Sequence, residues 1–218
     1  MQEHLTENKA MNFAKWLIDK SIKGIPPLTS ADNLAKEYLI DVSYPSNEAR
    51  CDSLINWETA KNATTGFLTG LGGLITMPVS IPAAFGASYI IQARMAGAIA
   101  VIYGHDINED RVRTLVLLSL LGDAAKEPLK QAGIKVSQKL AYSVIDKIPA
   151  KALMEINKRV GFRLITMAGE DSVINIAKCV PAIGGVVGGV SDAIAFRTVG
   201  YTAQRIFKGH GQAEDFLS

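Results

Sequence analysis

The feature that most constrains this chain is a long stretch without charge. From Asn62 to Ala93 no residue is acidic or basic, and the 32 residues of this stretch exceed the roughly 20 that a membrane-spanning helix needs. Glycine and proline interrupt its first part, at Gly66, Gly70, Gly72, Gly73, Pro78 and Pro82. We therefore interpret the stretch as the end of one helix, a turn and the start of a buried helix, rather than as a membrane span.

The composition is that of a globular protein and excludes several classes. Hydrophobic residues make up 48% of the 218 residues and charged residues 20%, so the chain is not disordered. A net charge of +2 is too small to argue for a nucleic-acid partner. The N-terminal residues are polar and of mixed charge, so we expect no secretory signal. Cys51 and Cys179 fit no metal or redox spacing, and we expect buried free thiols in a reducing cytoplasm.

The spacing of apolar residues predicts an all-α fold, because no segment alternates as a strand would. The 19 glycines indicate close helix packing, and we expect one compact multi-helix domain. Between residues 134 and 178 we expect several short helices, separated at Pro149, Gly161 and Gly169. Three other helices are expected in the first part of the chain: one over 8–23, a short one after Ser30 and one that starts at Asn47. A fourth should start near Ser80 or Pro82 and end near Tyr103. A buried helix N-capped by Asn108 and a last helix from Pro181 to Phe207 complete the set.

Charge is unevenly distributed along the chain. Residues 1–58 carry a net charge of −3, whereas residues 126–163 carry +6. A basic, amphipathic region is attracted to anionic lipids, so an anionic membrane surface or a membrane protein is one expected partner. A solvated lysine face is the other interpretation of the same residues.

Several sequence strings together resemble the EcsC protein family. They are INWETAK, GFLTGLGGLITMPVSIPA, QARMAGAIAVIYGHD, RVRTLVLLSLLGDAA, INKRVGFRLITMAGE and VPAIGGVVGGVSDAIAFRTVG, in this order between about Ser30 and Phe207. Members of the family are helical bacterial proteins, and the founding member is encoded beside an ABC transporter. The resemblance implies a cytoplasmic or membrane-peripheral role, loosely tied to transport or secretion. It supplies no reaction, substrate or catalytic residue.

We accordingly divide the chain into three parts and carry more than one function forward. The parts are an N-terminal amphipathic helix and linker (1–29), an EcsC-like helical domain (30–208) and a C-terminal tail (209–218). The favoured function is a non-enzymatic module that is membrane-peripheral at the inner face of the cell membrane or binds a partner. The alternative is a carrier or sensor that holds an apolar, lipid-like ligand between its helices. A hydrolase would require a buried acid–base pair that opens onto a cleft.

Two glycine-rich segments are expected to pack against each other. The pairs Gly66/Gly70, Gly184/Gly188 and Gly185/Gly189 have the small-xxx-small spacing that lets helix backbones approach closely. A phosphate-binding loop is the rival interpretation. It is disfavoured because GLGGL lacks the Gly-Lys-Ser/Thr ending and follows no strand.

Four charged residues are the candidate binding residues: Arg94, Asp192, Arg159 and Arg163. Arg94 ends the uncharged stretch inside a helix that should be buried, and Asp192 is the only acid between Cys179 and Ala213. Buried charges are normally paired, so we expect Asp192 to pair with Arg94 first, or with Arg159 or Arg163. A structural ion pair is the favoured interpretation, and a polar spot lining a ligand cavity is the other.

No catalytic or metal-binding motif is visible. His4, His105 and His210 do not lie at metal-ligand spacing, and no nucleophile motif of a hydrolase occurs. We therefore expect no metal, no cofactor and no catalytic residue.

Overall fold

The fold is known here from a computed structural model, which describes residues 7–62, 78–79, 81–134, 148–178 and 184–208, with the backbone alone from 170 to 178 and from 184 to 192. All regular elements among these residues are helices, so the predicted all-α class is confirmed. The helices are α1 (Glu7–Lys23), α2 (Ala31–Ile40), α3 (Asn47–Asn62), α4 (Ala83–Ile102), α5 (Asp110–Ser119), α6 (Lys126–Gln131), α7 (Ala150–Lys178) and α8 (Gly184–Phe207), with a 3-10 turn at Gly122–Ala125.

Most helix ends follow from local sequence signals. Gly24 adopts the left-handed conformation (φ +78°) just after α1, where a Cβ would be strained. Ser30 caps α2, since its side-chain oxygen accepts a hydrogen bond from the Asn33 amide at 3.1 Å. The helices expected over 8–23, after Ser30 and from Asn47 are therefore confirmed.

Helix α4 is the centre of the fold. It contacts α1, α2, α3, α5 and α8, and its residues from Ile90 to Ala100 are all buried. It is the one helix, within the described ranges, that is long and apolar enough to cross a membrane. Of its apolar window 83% is buried inside the protein, and core helices of soluble proteins pass the same test, so this is weak evidence for a span.

Glycines allow two close helix approaches. A Cβ on Gly161 of α7 would collide with the main-chain carbonyl of Ala10 in α1. A Cβ on Gly200 of α8 would lie 2.6 Å from Cγ1 of Ile55 in α3. The close packing expected from the glycine content is thus present, at these crossings.

Two expected boundaries are wrong. Helix α7 continues through Gly161 and Gly169, because Gly161 serves the close approach to α1 instead of breaking the helix. Helix α5 is capped by Glu109 instead of Asn108. The Asn108 amide donates to Asp106 Oδ1 at 2.9 Å and so belongs to the preceding turn.

Some expectations lie outside the described residues. These are the packing of the two glycine-rich segments, Cys179, the Asp192 side chain and the residues of the proposed tail. Helix α1 contributes Phe13, Ala14 and Leu17 to the same core as α4, while the domain boundaries near residues 29 and 208 stay predictions.

Candidate functional site

A buried ion pair joins α3 to α4. Arg94 Nη2 donates to Glu58 Oε2 at 2.9 Å, and the two side chains are only 3% and 2% exposed. Arg94 Nη1 also donates to the carbonyl oxygen of Thr29 at 3.2 Å and to its Oγ1 at 3.3 Å. These contacts compensate the cost of removing both charges from water.

The pair is buried because of where its residues fall on their helices. Glu58 follows Cys51, Leu54 and Ile55 at helical spacing, so it shares the buried face of α3. Arg94 lies in the middle of α4, which is buried on nearly every side. Each charge therefore enters the core on its own helix, and the two helices meet there.

A cleft of about 450 Å³ opens over this pair, and we call it the Arg94 cleft. One wall is α2 and the residues just after it, and the other is α3. The helical repeat explains the parts of the walls that lie within α2 and α3, where lining residues are three or four positions apart. The side chains that matter below are Glu37, Tyr38, Asp41 and Tyr44 on the first wall, and Ser53, Trp57 and Lys61 on the second.

Two tyrosines are held in fixed positions in the Arg94 cleft. The ring centroids of Tyr38 and Tyr44 are 5.9 Å apart, and the hydroxyls of Tyr44 and Ser53 form a hydrogen bond of 2.9 Å. Burial raises the pKa of Tyr38 to about 12, and the nearby Glu58 carboxylate contributes to the rise. Tyr38 therefore keeps its phenolic proton throughout the physiological pH range.

A second cleft, of about 560 Å³, lies where α7 meets α1 and α6, and we call it the Arg159 cleft. Arg159 Nη2 contacts Glu155 Oε1 at 2.8 Å, and Arg159 Nη1 donates to Gln131 Oε1 at 3.0 Å. Lys158 Nζ contacts Glu155 Oε2 at 2.6 Å. A hydrogen bond from Lys158 is the first cause that holds the pKa of Glu155 below its usual range. Arg163 also lines this cleft and is exposed.

The Arg94–Glu58 pair and Cys51 lack the properties of catalytic acid–base or nucleophilic groups. A guanidinium does not lose its proton in proteins, so the Arg94–Glu58 pair cannot act as an acid–base couple. No cluster of three metal-ligating side chains occurs among the residues that the structure describes. Cys51 is a buried free cysteine, as expected, and burial raises the pKa of its thiol to about 12. It is therefore not a thiolate nucleophile at neutral pH.

The sequence pattern of a known family covers nearly the whole chain. The model of the EcsC protein family matches residues 4–209. The chain belongs to the EcsC family. The match contains α1 to α8 and both clefts, and it confirms the resemblance that the sequence strings indicated. No curated protein and no solved structure matches the chain significantly.

The structure separates the candidate residues of this EcsC protein into different places. Arg94 is buried and ion-paired, and its acidic partner among the residues that the structure describes is Glu58, an acid that was not among the candidate residues. Arg159 and Arg163 line the second cleft, and the partner of Arg159 is Glu155. The Asp192 side chain lies outside the described residues. The expected pairing of Asp192 with Arg94, Arg159 or Arg163 therefore stays a prediction.

Sequence reasoning missed the acid and the aromatic residues of the Arg94 cleft in this EcsC protein. Glu58 carries a signal, since an acid on the apolar face of α3 needs a buried cation. Tyr38 and Trp57 carry none, because their proximity depends on how α2 and α3 lie against α4.

Proposed function

We propose that this EcsC-family protein is a non-enzymatic, membrane-peripheral module that contacts an anionic lipid surface through the exposed side of α7. The observation that carries the proposal is a combination of exposed apolar and basic side chains on one helix. Met154 is 55% exposed and Phe162 49% exposed, and Lys151 and Arg163 are exposed beside them. Side chains of this kind enter the boundary between headgroups and acyl chains.

The register of α7 places Lys151, Met154 and Phe162 on one side of the helix, and Arg163 lies about 100° around the helix from Phe162. Lys151 and Phe162 are about three helical turns apart and so point in the same direction, and Met154 lies between them along the helix. From Lys151 to Arg163 the helix carries four cations and only one acid, Glu155. This excess of positive charge complements an anionic membrane.

The alternative, a carrier for an apolar ligand, has less support. Charged side chains line both clefts, including Arg94 and Glu58 in one and Lys158 and Arg159 in the other. An apolar ligand in either cleft would leave these groups without water. We therefore favour contact with a membrane surface over an apolar ligand between the helices.

Flotation with anionic and neutral vesicles tests the proposal. Binding to anionic vesicles should weaken as salt rises, and Lys151→Glu/Arg163→Glu should reduce it at least tenfold, since each cation near the surface contributes about 1 kcal/mol. The matched control is Lys23→Glu/Lys36→Glu, which makes the same change of charge at exposed positions on α1 and α2.

The control variant should keep most of the binding. Equal losses in the two double variants would show that net charge, and no particular face, governs binding. Vesicle binding that changes neither with salt nor in either double variant would contradict the proposal, and so would the absence of any binding.

A further inference from the structure

Three aromatic side chains line the Arg94 cleft, and none of them takes part in the proposed membrane contact by α7. Tyr38 and Tyr44 stand on one side, with their rings tilted by 34° to each other, and Trp57 stands on the other. Trp57 is 63% exposed, which is unusual for the largest apolar side chain. Aromatic faces attract cations, and quaternary ammonium groups are commonly bound by several such rings together.

The charges that line the Arg94 cleft also favour a cation. The charge of Arg94 is cancelled by Glu58 at 2.9 Å, so the base of the cleft is close to neutral. Glu37 and Asp41 remain on one wall, and the cations near them are Lys61 on the other wall and Arg50, whose charge helps to lower the pKa of Asp41. Neither carboxylate forms an ion pair with another residue in the described part of the chain. The wall of Glu37 and Asp41 is therefore negative.

Asp41 keeps its negative charge at neutral pH. Its pKa lies below the usual range, first because the Ser43 side chain hydrogen-bonds to its carboxylate and second because the Ser43 amide does so. The amide donates to Asp41 Oδ1 at 2.9 Å. This turn fixes the carboxylate at the mouth of the cleft.

The walls are held in place before any ligand binds. Arg50 Nε donates to the Tyr38 carbonyl oxygen at 3.0 Å and so ties the end of α2 to α3. The hydrogen bond between Tyr44 and Ser53 connects the same two walls. Pre-organisation of this kind lowers the entropy cost of binding.

We propose that the Arg94 cleft binds an organic cation, an alkylated ammonium group, against the rings of Tyr38, Tyr44 and Trp57 and the carboxylates of Glu37 and Asp41. The group is either a free quaternary ammonium ion such as choline or the headgroup of a zwitterionic phospholipid. A metal ion fits less well, because aromatic rings replace the oxygen ligands that hard cations require. The binding residues lie on α2, just after it, and on α3, so the proposal does not depend on membrane contact by α7.

Choline is the first probe, and calorimetry with the full chain measures its affinity. The neutral isostere 3,3-dimethylbutan-1-ol has the same shape without the charge, and it should bind at least tenfold more weakly. Trp57→Ala should weaken choline binding about tenfold, the size of a cation–π contact in a partly desolvated site. Glu37→Gln should weaken it in the same direction. The matched control is Tyr201→Ala, an exposed aromatic residue on α8 that should leave choline binding unchanged.

Two further probes distinguish the source of the ammonium group. Tighter binding of phosphocholine than of choline, with binding to phosphatidylcholine vesicles that free phosphocholine inhibits, would identify a lipid headgroup. Choline binding without vesicle binding would identify a free quaternary ammonium ion. Three results would overturn the proposal: no saturable binding of choline to the folded protein, equal binding of the neutral isostere, or full affinity in Trp57→Ala. Circular dichroism verifies that Trp57→Ala is folded, as its exposed side chain leads us to expect.

Discussion

At the scale of single residues, Arg94 and Glu58 decide how α3 meets the core. Each is buried to 3% exposure or less, and each has its partner on a different helix. A pair of this kind does little for stability relative to apolar residues of similar size, but the loss of one partner leaves the other charge buried alone. The main effect of the pair is therefore to restrict how α3 and α4 can pack against each other.

Replacing either member should destabilise the protein strongly. Glu58→Leu should lower the free energy of unfolding by about 3–5 kcal/mol, because Arg94 then stays buried without its acid. Arg94→Met should cost a similar amount. The double variant Glu58→Leu/Arg94→Met should recover a large part of either loss, which urea denaturation of the four proteins measures.

The exposed pair Asp32–Lys36 on α2 is the control for this cycle. It has a short contact, 2.5 Å, but both side chains are largely in water. Removing either one should change stability by well under 1 kcal/mol. Additive losses at Glu58 and Arg94 would show that the two residues do not act as a pair.

At the scale of elements, the crossing of α1 and α7 depends on a residue with no side chain. Gly161 lies against the Ala10 carbonyl, at a distance where a Cβ does not fit. Glycine is unfavourable inside a helix, so its presence in α7 must be offset by this contact. The 29-residue α7 is continuous through the position where the sequence alone indicated a break.

Gly161→Ala and Gly169→Ala should therefore have opposite effects. Gly161→Ala should destabilise by about 1–3 kcal/mol, since the backbone of α1 must move away. Gly169→Ala should stabilise by up to about 1 kcal/mol, because no atom of the described residues lies within 4 Å of the added Cβ and alanine favours the helix. Thermal unfolding of both variants measures the difference. A stabilised Gly161→Ala protein would mean that α1 and α7 are further apart than described.

The same element shows what sequence reasoning can and cannot reach. Helices α1, α2 and α8 follow from apolar periodicity. Gly24 marks the end of α1, and Ser30 marks the start of α2. A glycine in a helical segment has two readings, a break or a close contact, and only the position of α1 decides between them. The same holds for Arg94 and Glu58: the sequence places each charge on a buried helix face, but only the packing of α3 against α4 shows that the two are partners.

At the scale of the whole molecule, the two clefts are built from different helices. The Arg94 cleft lies between α2 and α3, and the Arg159 cleft lies between α7, α1 and α6. Helix α4 packs against α1, α2 and α3 and so connects the two regions. A protein that contacts a membrane through α7 and binds an ammonium group at α2 and α3 would use both of these regions.

The depth at which α7 meets the bilayer is the most direct test of membrane contact. An environment-sensitive nitrobenzoxadiazole dye can be attached to Phe162→Cys, or as a control to Ile194→Cys, in a chain whose two native cysteines are alanine. Both positions carry exposed apolar residues, 49% and 62%, but on α7 and α8. With anionic vesicles, the dye at position 162 should become brighter and shift to shorter wavelength, while the dye at 194 should not change. An unchanged dye at 162, or equal changes at both positions, would contradict the account.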